Sequence, residues 1–521
     1  MRQALRNSKA ALPRPLLATP LMGAAMVALL AGCTMGPNFH PPKSPYDPAS
    51  FLTGRAAAAS KSHPVVAPID AEWWRSFDDP ELDSLERRAV SQNLDVQAAT
   101  IRVVEARADA GETASAILPS LKGQVLAAEI KPSDKGLSFG SSSGSGSINP
   151  FGFYQYGFDA SWTLDIWGKV RRQVEAANAA VQASEIDERG VLIQMMAEVA
   201  RDYVQLRNAQ MQLKIADDNV NTAQKLLNLT RQRAAAGLTD QLDVAQEQAQ
   251  LTTTEATVPS FRQHVADYIN ALSLLLGEPP RALQAELSTA EPVPPTPAVI
   301  PIGLPSELLR RRPDIMESEA KLHEATANIG VSVASFFPSF NLLGFFGIQA
   351  DNTQNLFTTA ARTYTLGGGI TVPIFEGGKL IAQLNLSKAQ QREAMVNYDK
   401  TVLQAFSDVD NALTNYDEEQ QRRTLLARAV SADQRAFSLA RDRYTQGIAT
   451  YLDVLNAQQN VLSSQRQYQD STAAVSTDLV ALYLALGGGW EDALPTPASE
   501  AQPDATFGQA VKTIFSGGHT S

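Results

Sequence analysis

The chain has 521 residues, of which 44% are apolar and 19% charged, with a formal net charge of -11 and a single cysteine. One cysteine excludes a disulfide framework, and the acidic balance argues against nucleic acid as a partner. Length alone predicts about three domains, but beyond the first 32 residues no apolar run approaches the roughly 20 that a membrane helix needs, so any spanning structure must come from strands.

Arg2, Arg6, Lys9 and Arg14 precede the apolar run LMGAAMVALLAG, which stops at Cys33. A basic start, an apolar centre and small residues before the stop mark residues 1–32 as a removable export signal. Its loss removes four positive charges and takes the formal charge from -11 to -15. Leu30-Ala31-Gly32-Cys33 resembles the lipobox of bacterial lipoproteins. That resemblance implies S-diacylglycerol and N-palmitoyl chains on Cys33 as covalent lipid, with no other cofactor, and Thr34 behind it implies sorting to the outer membrane. An anchor of this kind ties a chain to a bilayer without spanning it.

Residues 33–80 form a lipidated amino-terminal segment whose Trp73 and Trp74 could suggest a ligand box. Residues 81–116 then read as helical, about 54 Å long at 1.5 Å per residue. From Tyr154 the even positions Tyr156, Phe158, Ala160, Trp162, Leu164 and Ile166 are apolar, while Gln155, Gly157, Asp159, Ser161, Thr163 and Asp165 are small or polar. Period two predicts a strand, with a partner strand starting at Pro119. The intervening KGLSFGSSSGSGS lies between strands rather than before a helix, so it reads as an exposed linker, not a phosphate cradle. Lys169 to Ala236 contains no proline and one glycine, Gly190, which predicts a helix of roughly 100 Å. A further helical stretch, 239–276, spans about 57 Å.

The same order recurs. At a constant offset of 210, Arg233, Gly237, Leu242, Asp243, Val244, Leu272 and Gly277 meet Arg443, Gly447, Leu452, Asp453, Val454, Leu482 and Gly487. At an offset of 219, Asp95, Gly111, Pro119 and Ser120 meet Asp314, Gly330, Pro338 and Ser339. Tyr364, Leu366, Ile370, Val372 and Ile374 alternate with Thr363, Thr365 and Thr371, and Lys379 to Gln446 is again free of proline. The chain is therefore two copies of one unit, 81–280 and 306–490, joined by a proline-rich linker at 281–305 and followed by a tail, 491–521, of disordered composition. On the long helices Leu192, Met196, Val199, Tyr203 and Leu206, and later Val402, Phe406, Val409, Leu413 and Tyr416, follow alternating threes and fours. That spacing fits a coiled-coil seam or an ordinary helical core.

Strands apolar on one face and polar on the other suit a barrel with lipid outside and water inside. Four strands cannot close one, since the smallest membrane barrels have about eight and an open edge is intolerable in lipid. Two chains would supply eight strands and fill the barrel with side chains; three would supply twelve and leave a lumen. The predicted class is mainly α with a membrane β-barrel, built of duplicated strand-strand-long-helix units.

GLPSELLRRRPDI (Gly303 to Ile315), PIFEGGK, LDIWGKVRR, EWWRSFDDPELDSL and the twin LDV turns resemble the TolC-like outer-membrane factors, in particular the OprM/NodT-type lipoproteins. The resemblance covers about residues 33 to 490. It implies a homotrimer in which a twelve-stranded barrel continues into a long periplasmic α-barrel. This would be the exit duct of a tripartite, RND-type pump, joined by a periplasmic adaptor to an inner-membrane transporter that exports drugs or other small compounds. It further implies that Asp243 and Asp453 line a periplasmic gate with Tyr444, and that the helix tips at Gly237 and Gly447 contact the adaptor. By the same resemblance Trp73 and Trp74 belong to a segment packing around the barrel's waist rather than to a ligand box. Ala449 and Asn456 stand where the family's best-known gate has an arginine and a second aspartate, so Tyr444 is expected to bond at Asp243 instead. Opening is expected to be an iris-like swing of the 379–486 helix pair.

The five histidines, His40, His63, His264, His323 and His519, have no ligand spacing, and catalytic serine or cysteine motifs are missing, so neither a metal site nor an enzyme is expected. Type I protein secretion and metal-ion efflux keep the channel and change the cargo. A periplasmic adaptor-like lipoprotein would share the lipid and the coiled coils, but it would not need two alternating strand pairs.

Overall fold

The computed structural model describes residues 34–42, 63–65, 71–131, 150–302 and 308–490. Cys33, the serine- and glycine-rich linker and the tail from Glu491 lie outside the described residues. In chain order the elements are β1 (His63–Val65), a 3-10 turn (Trp73–Phe77), α1 (Pro80–Gln92), α2 (Leu94–Ser115), β2 (Ser120–Ile130), β3 (Phe151–Leu164) and α3 (Lys169–Ala235). There follow α4 (Gln241–Glu255), α5 (Thr257–Leu275), α6 (Gln284–Leu287), β4 (Val299–Pro301), α7 (Leu308–Arg311) and α8 (Pro313–Ala334). The last elements are β5 (Ser339–Ala350), β6 (Arg362–Thr371), α9 (Lys379–Thr445) and α10 (Tyr451–Ala485). Among the described residues no helix is long and apolar enough to cross a membrane.

The helices α3 and α9 each run for 67 residues, and both stop one residue short of the expected end. The two shorter helical stretches differ from expectation, because each is interrupted. Residues 81–116 break at Asn93, whose ψ of 130° leaves the helix. Its side-chain oxygen accepts the Asp95 and Val96 N–H groups and so caps α2, while its amide donates to the Leu275 carbonyl. Residues 239–276 break at Ala256, because Pro259 has no N–H for the Glu255 carbonyl.

The chain divides into two compact units, one drawn from Met1–His40, Asp109–Ala179 and His323–Glu393, the other from Pro41–Ala108, Ala180–Leu322 and Ala394–Ser521. The first carries an antiparallel sheet in the order β2-β3-β5-β6. Its register places Gly123, Phe158, Phe346 and Tyr364 in one row across the four strands, and Lys122, Asp159, Phe345 and Thr365 in the next. Because side chains alternate along a strand, these rows lie on opposite faces. Val125, Phe346, Tyr364 and Leu366 are 67–85% exposed on the apolar face, which is the reverse of a water-soluble sheet. Among the described residues β2 and β6 each pair with one strand only.

The second unit has a continuous apolar core. Leu192, Met196, Val199, Tyr203 and Leu206 of α3 share one buried core with Val409, Leu413 and Tyr416 of α9 and Leu479, Val480 and Tyr483 of α10, so the positions at alternating threes and fours are the inward-facing ones. Trp73, Trp74 and Phe77 are buried in it, with Trp73 stacked on Tyr483. Arg312 of the RRRPDI stretch locks three helices together. Its guanidinium donates to Asp314 at 3.0 and 2.7 Å, to Asp408 of α9 at 2.9 Å and to the Ala485 carbonyl at the end of α10 at 3.1 Å.

Candidate functional site

The two long helices end in the same way. At the end of α3, Gly237 N–H donates to the Ala234 carbonyl and Leu238 N–H to the Arg233 carbonyl; at the end of α9, Gly447 N–H donates to Tyr444 and Ile448 N–H to Arg443. This paired pattern requires a left-handed residue, and Gly237 and Gly447 have φ of 71° and 78°. The twin octets of the sequence are therefore the two hairpin turns.

The returning helices start differently. Asp240 caps α4 by accepting the Asp243 N–H at 3.1 Å, and the Asp243 carboxylate accepts the Thr239 hydroxyl. In the second turn Thr450 and Asp453 form a reciprocal capping box, and the Asp453 carboxylate accepts the Thr450 N–H at 3.0 Å and its hydroxyl at 2.8 Å. The Thr450 hydroxyl, then its N–H, hold the Asp453 carboxyl below the usual carboxylate range. Both aspartates thus stabilise a helix start, each in the first turn where a carboxylate complements the helix dipole.

Tyr444 does not bond to Asp243. Its ring is buried beneath the Arg233 guanidinium at 4.5 Å and meets Tyr451 edge-on at 6.0 Å, and its hydroxyl has no hydrogen-bond partner among the described residues. Arg233 also donates to the Thr445 carbonyl at 2.9 Å, so a cation from the first turn clasps the end of the second. Thr239, closer in sequence, occupies the carboxylate that Tyr444 was expected to meet. Sequence reasoning missed Arg233, although it stands in the duplicated block opposite Arg443. It also missed Glu247 and Tyr451, a buried pair whose hydroxyl-to-carboxylate bond spans 204 residues.

The residues that follow Cys33 in the sequence are held firmly. Met35 N–H donates to the Trp167 carbonyl at 3.1 Å, and the buried Arg172 donates to the Met35 carbonyl at 3.2 Å and the Asn38 side chain at 2.6 Å. The Phe39 ring stacks on His323 at 4.4 Å, and His323 bonds to Glu175.

Residues 85–278 and 304–488 match the outer membrane efflux protein family. The pyoverdine export outer membrane protein OpmQ of Pseudomonas aeruginosa is 33% identical over 452 residues, covering 85% of this chain and 94% of that protein. The cation efflux system protein CusC of Escherichia coli is 28% identical over 466 residues, covering 89% of this chain and 97% of that one. The solved outer-membrane channel OprN superposes with a TM-score of 0.80 at 32% identity, over 88% of this chain and 100% of its own. With its duplicated units, its exposed apolar sheet face and this likeness along most of its length, the chain belongs to the outer membrane efflux protein family and is an outer-membrane channel, extending into the periplasm, that serves as the exit duct of an efflux system.

Proposed function

We propose that three copies of the chain assemble into one duct, lipid-anchored through Cys33, that a periplasmic adaptor couples to an RND-type inner-membrane transporter exporting small compounds. The observation that carries the trimer is the four-stranded sheet, with single-paired strands at both edges and an apolar face exposed. An open edge in hydrocarbon leaves a row of N–H and C=O groups unsatisfied, at several kcal/mol each, so β6 of one copy must pair with β2 of the next. Twelve strands leave a water-filled lumen, which eight do not.

Cargo choice belongs to the partners. By their names, related channels serve pyoverdine export, cation efflux and solvent efflux, so one duct architecture accepts chemically unlike loads. At the turns, Asp453 and Asp243 would form two carboxylate rings around the threefold axis, attracting cations and narrowing the passage. Arg233 and Tyr444 hold each turn's shape from within one chain, and the tips at Gly237 and Gly447 offer the adaptor its contact. Cysteine pairs along the two edge strands, replacing Lys122, Gln124 or Leu126 on β2 and Thr363, Thr365 or Gly367 on β6 in every combination, test the assembly: oxidised outer membranes should show a covalent trimer for the pairs in register, and products that stop at the monomer for all combinations would refute the shared barrel. Asp453→Ala should enlarge single-channel conductance and weaken block by multivalent cations; unchanged behaviour would refute the carboxylate ring.

A further inference from the structure

Glu247 on α4 is fully buried, and its carboxylate accepts the hydroxyl of Tyr451, the first residue of α10. Its other oxygen has no hydrogen-bond partner among the described residues. Tyr451 packs with Leu226, Tyr444 and Val454 in a small apolar cluster separate from the main core. An acid placed in such surroundings is costly when charged. A role confined to packing would be served better by an apolar side chain.

We propose that Glu247 is a positioning residue of the efflux duct: through the Tyr451 hydroxyl it fastens the start of α10 to α4 and holds the tip in its closed arrangement until the carboxyl ionises. This rests on the reading of the turns as the gate. Tyr451 faces Glu247 from α10 and Tyr444 faces the same cluster from α9; Asp243 stands earlier on its own helix, and Arg233 of α3 lies over the Tyr444 ring rather than on the carboxyl. Burial pushes the Glu247 carboxyl up from 4.5 to about 7, with the Tyr451 hydroxyl opposing the shift. Burial, and then the bond to Glu247, keep the Tyr451 phenol above its usual range, so Tyr451 remains the donor.

The sign follows from the direction of the shift. A carboxyl raised in the packed state favours that state while protonated. The contribution is complete below about 4.5 and is lost as pH rises through about 7. The closed turn is therefore tightest in acid, and it loosens as the proton leaves and an ionised carboxylate is left in an apolar pocket.

The test uses the full-length, lipidated protein in planar bilayers, with conductance followed from below pH 4.5 to above pH 7. Wild type should show a step up in conductance centred near 7. Glu247→Gln keeps an acceptor for Tyr451 but cannot ionise, so it should lose the step and remain at the low-conductance level. Tyr451→Phe should sit at the high level throughout. Glu247→Gln following the wild-type curve would overturn the proposal. The infrared difference between wild type and Glu247→Gln reads the proton without reference to gating: a protonated-carboxyl band that disappears near pH 7 supports the assignment, and its absence overturns it. If Asp453→Ala is silent while the Glu247→Gln curve is flat, the Glu247 contact stands and the Asp453 ring falls.

Discussion

Replacing Arg312 by methionine would remove the clasp between α8, α9 and α10 while nearly preserving side-chain volume. Asp314 and Asp408 are 44% and 35% exposed, so water takes over much of the lost ion pairing, and each pair is worth no more than about 1 kcal/mol. The Ala485 carbonyl is different. It is one of the orphan acceptors at the end of α10, and its bond to Arg312 is buried. Leaving such a group without a donor costs about 1–3 kcal/mol. The expected loss is about 2–4 kcal/mol, dominated by the carbonyl rather than by charge. Arg312→Lys keeps the charge but has no planar fork to reach both carboxylates and the carbonyl, and should lose about half as much. Equilibrium urea unfolding of the detergent-solubilised protein, followed by helical circular dichroism, measures both variants. A change under about 0.5 kcal/mol for the methionine variant, the size of an ordinary surface substitution, would refute the clasp.

Gly237→Ala and Gly447→Ala should each destabilise by about 1–2 kcal/mol, the cost of a left-handed backbone for an L-residue. A methyl group would meet nothing within 4 Å at Gly237 and only the Arg233 guanidinium at 4.0 Å at Gly447, so the two values in the same urea assay should agree. On the sheet, Phe346→Lys should cost about 2–4 kcal/mol and deplete the protein from the outer-membrane fraction. Thr363→Lys, on the opposite face, should leave the amount in that fraction unchanged; equal depletion would contradict the assignment of faces.

Much of the fold was legible in the sequence because it rests on local rules. Helices α3 and α9 run until a glycine can turn left-handed, and the alternation from Tyr154 marks β3 directly. The interruptions at Asn93 and Ala256 were not legible from the apolar pattern. One depends on a side chain that caps a helix and reaches another, the other on the weight of a single proline. The turn geometry at Gly237 and Gly447 could be read from the duplicated octets, and so could the places of Asp243 and Asp453 at the helix starts. Side-chain partners there could not, since Arg233 with Tyr444 and Glu247 with Tyr451 are joined by proximity across about 200 residues of chain. Tyr444 had several polar groups within plausible reach, and only the folded turn shows its ring given to Arg233.

The shared barrel is tested most directly by native mass spectrometry of the membrane-extracted protein released from mild detergent, with a portion of the same sample taken into a planar bilayer. A mass of three chains together with discrete conductance steps is the predicted result. A mass of one chain and an electrically silent bilayer would contradict it.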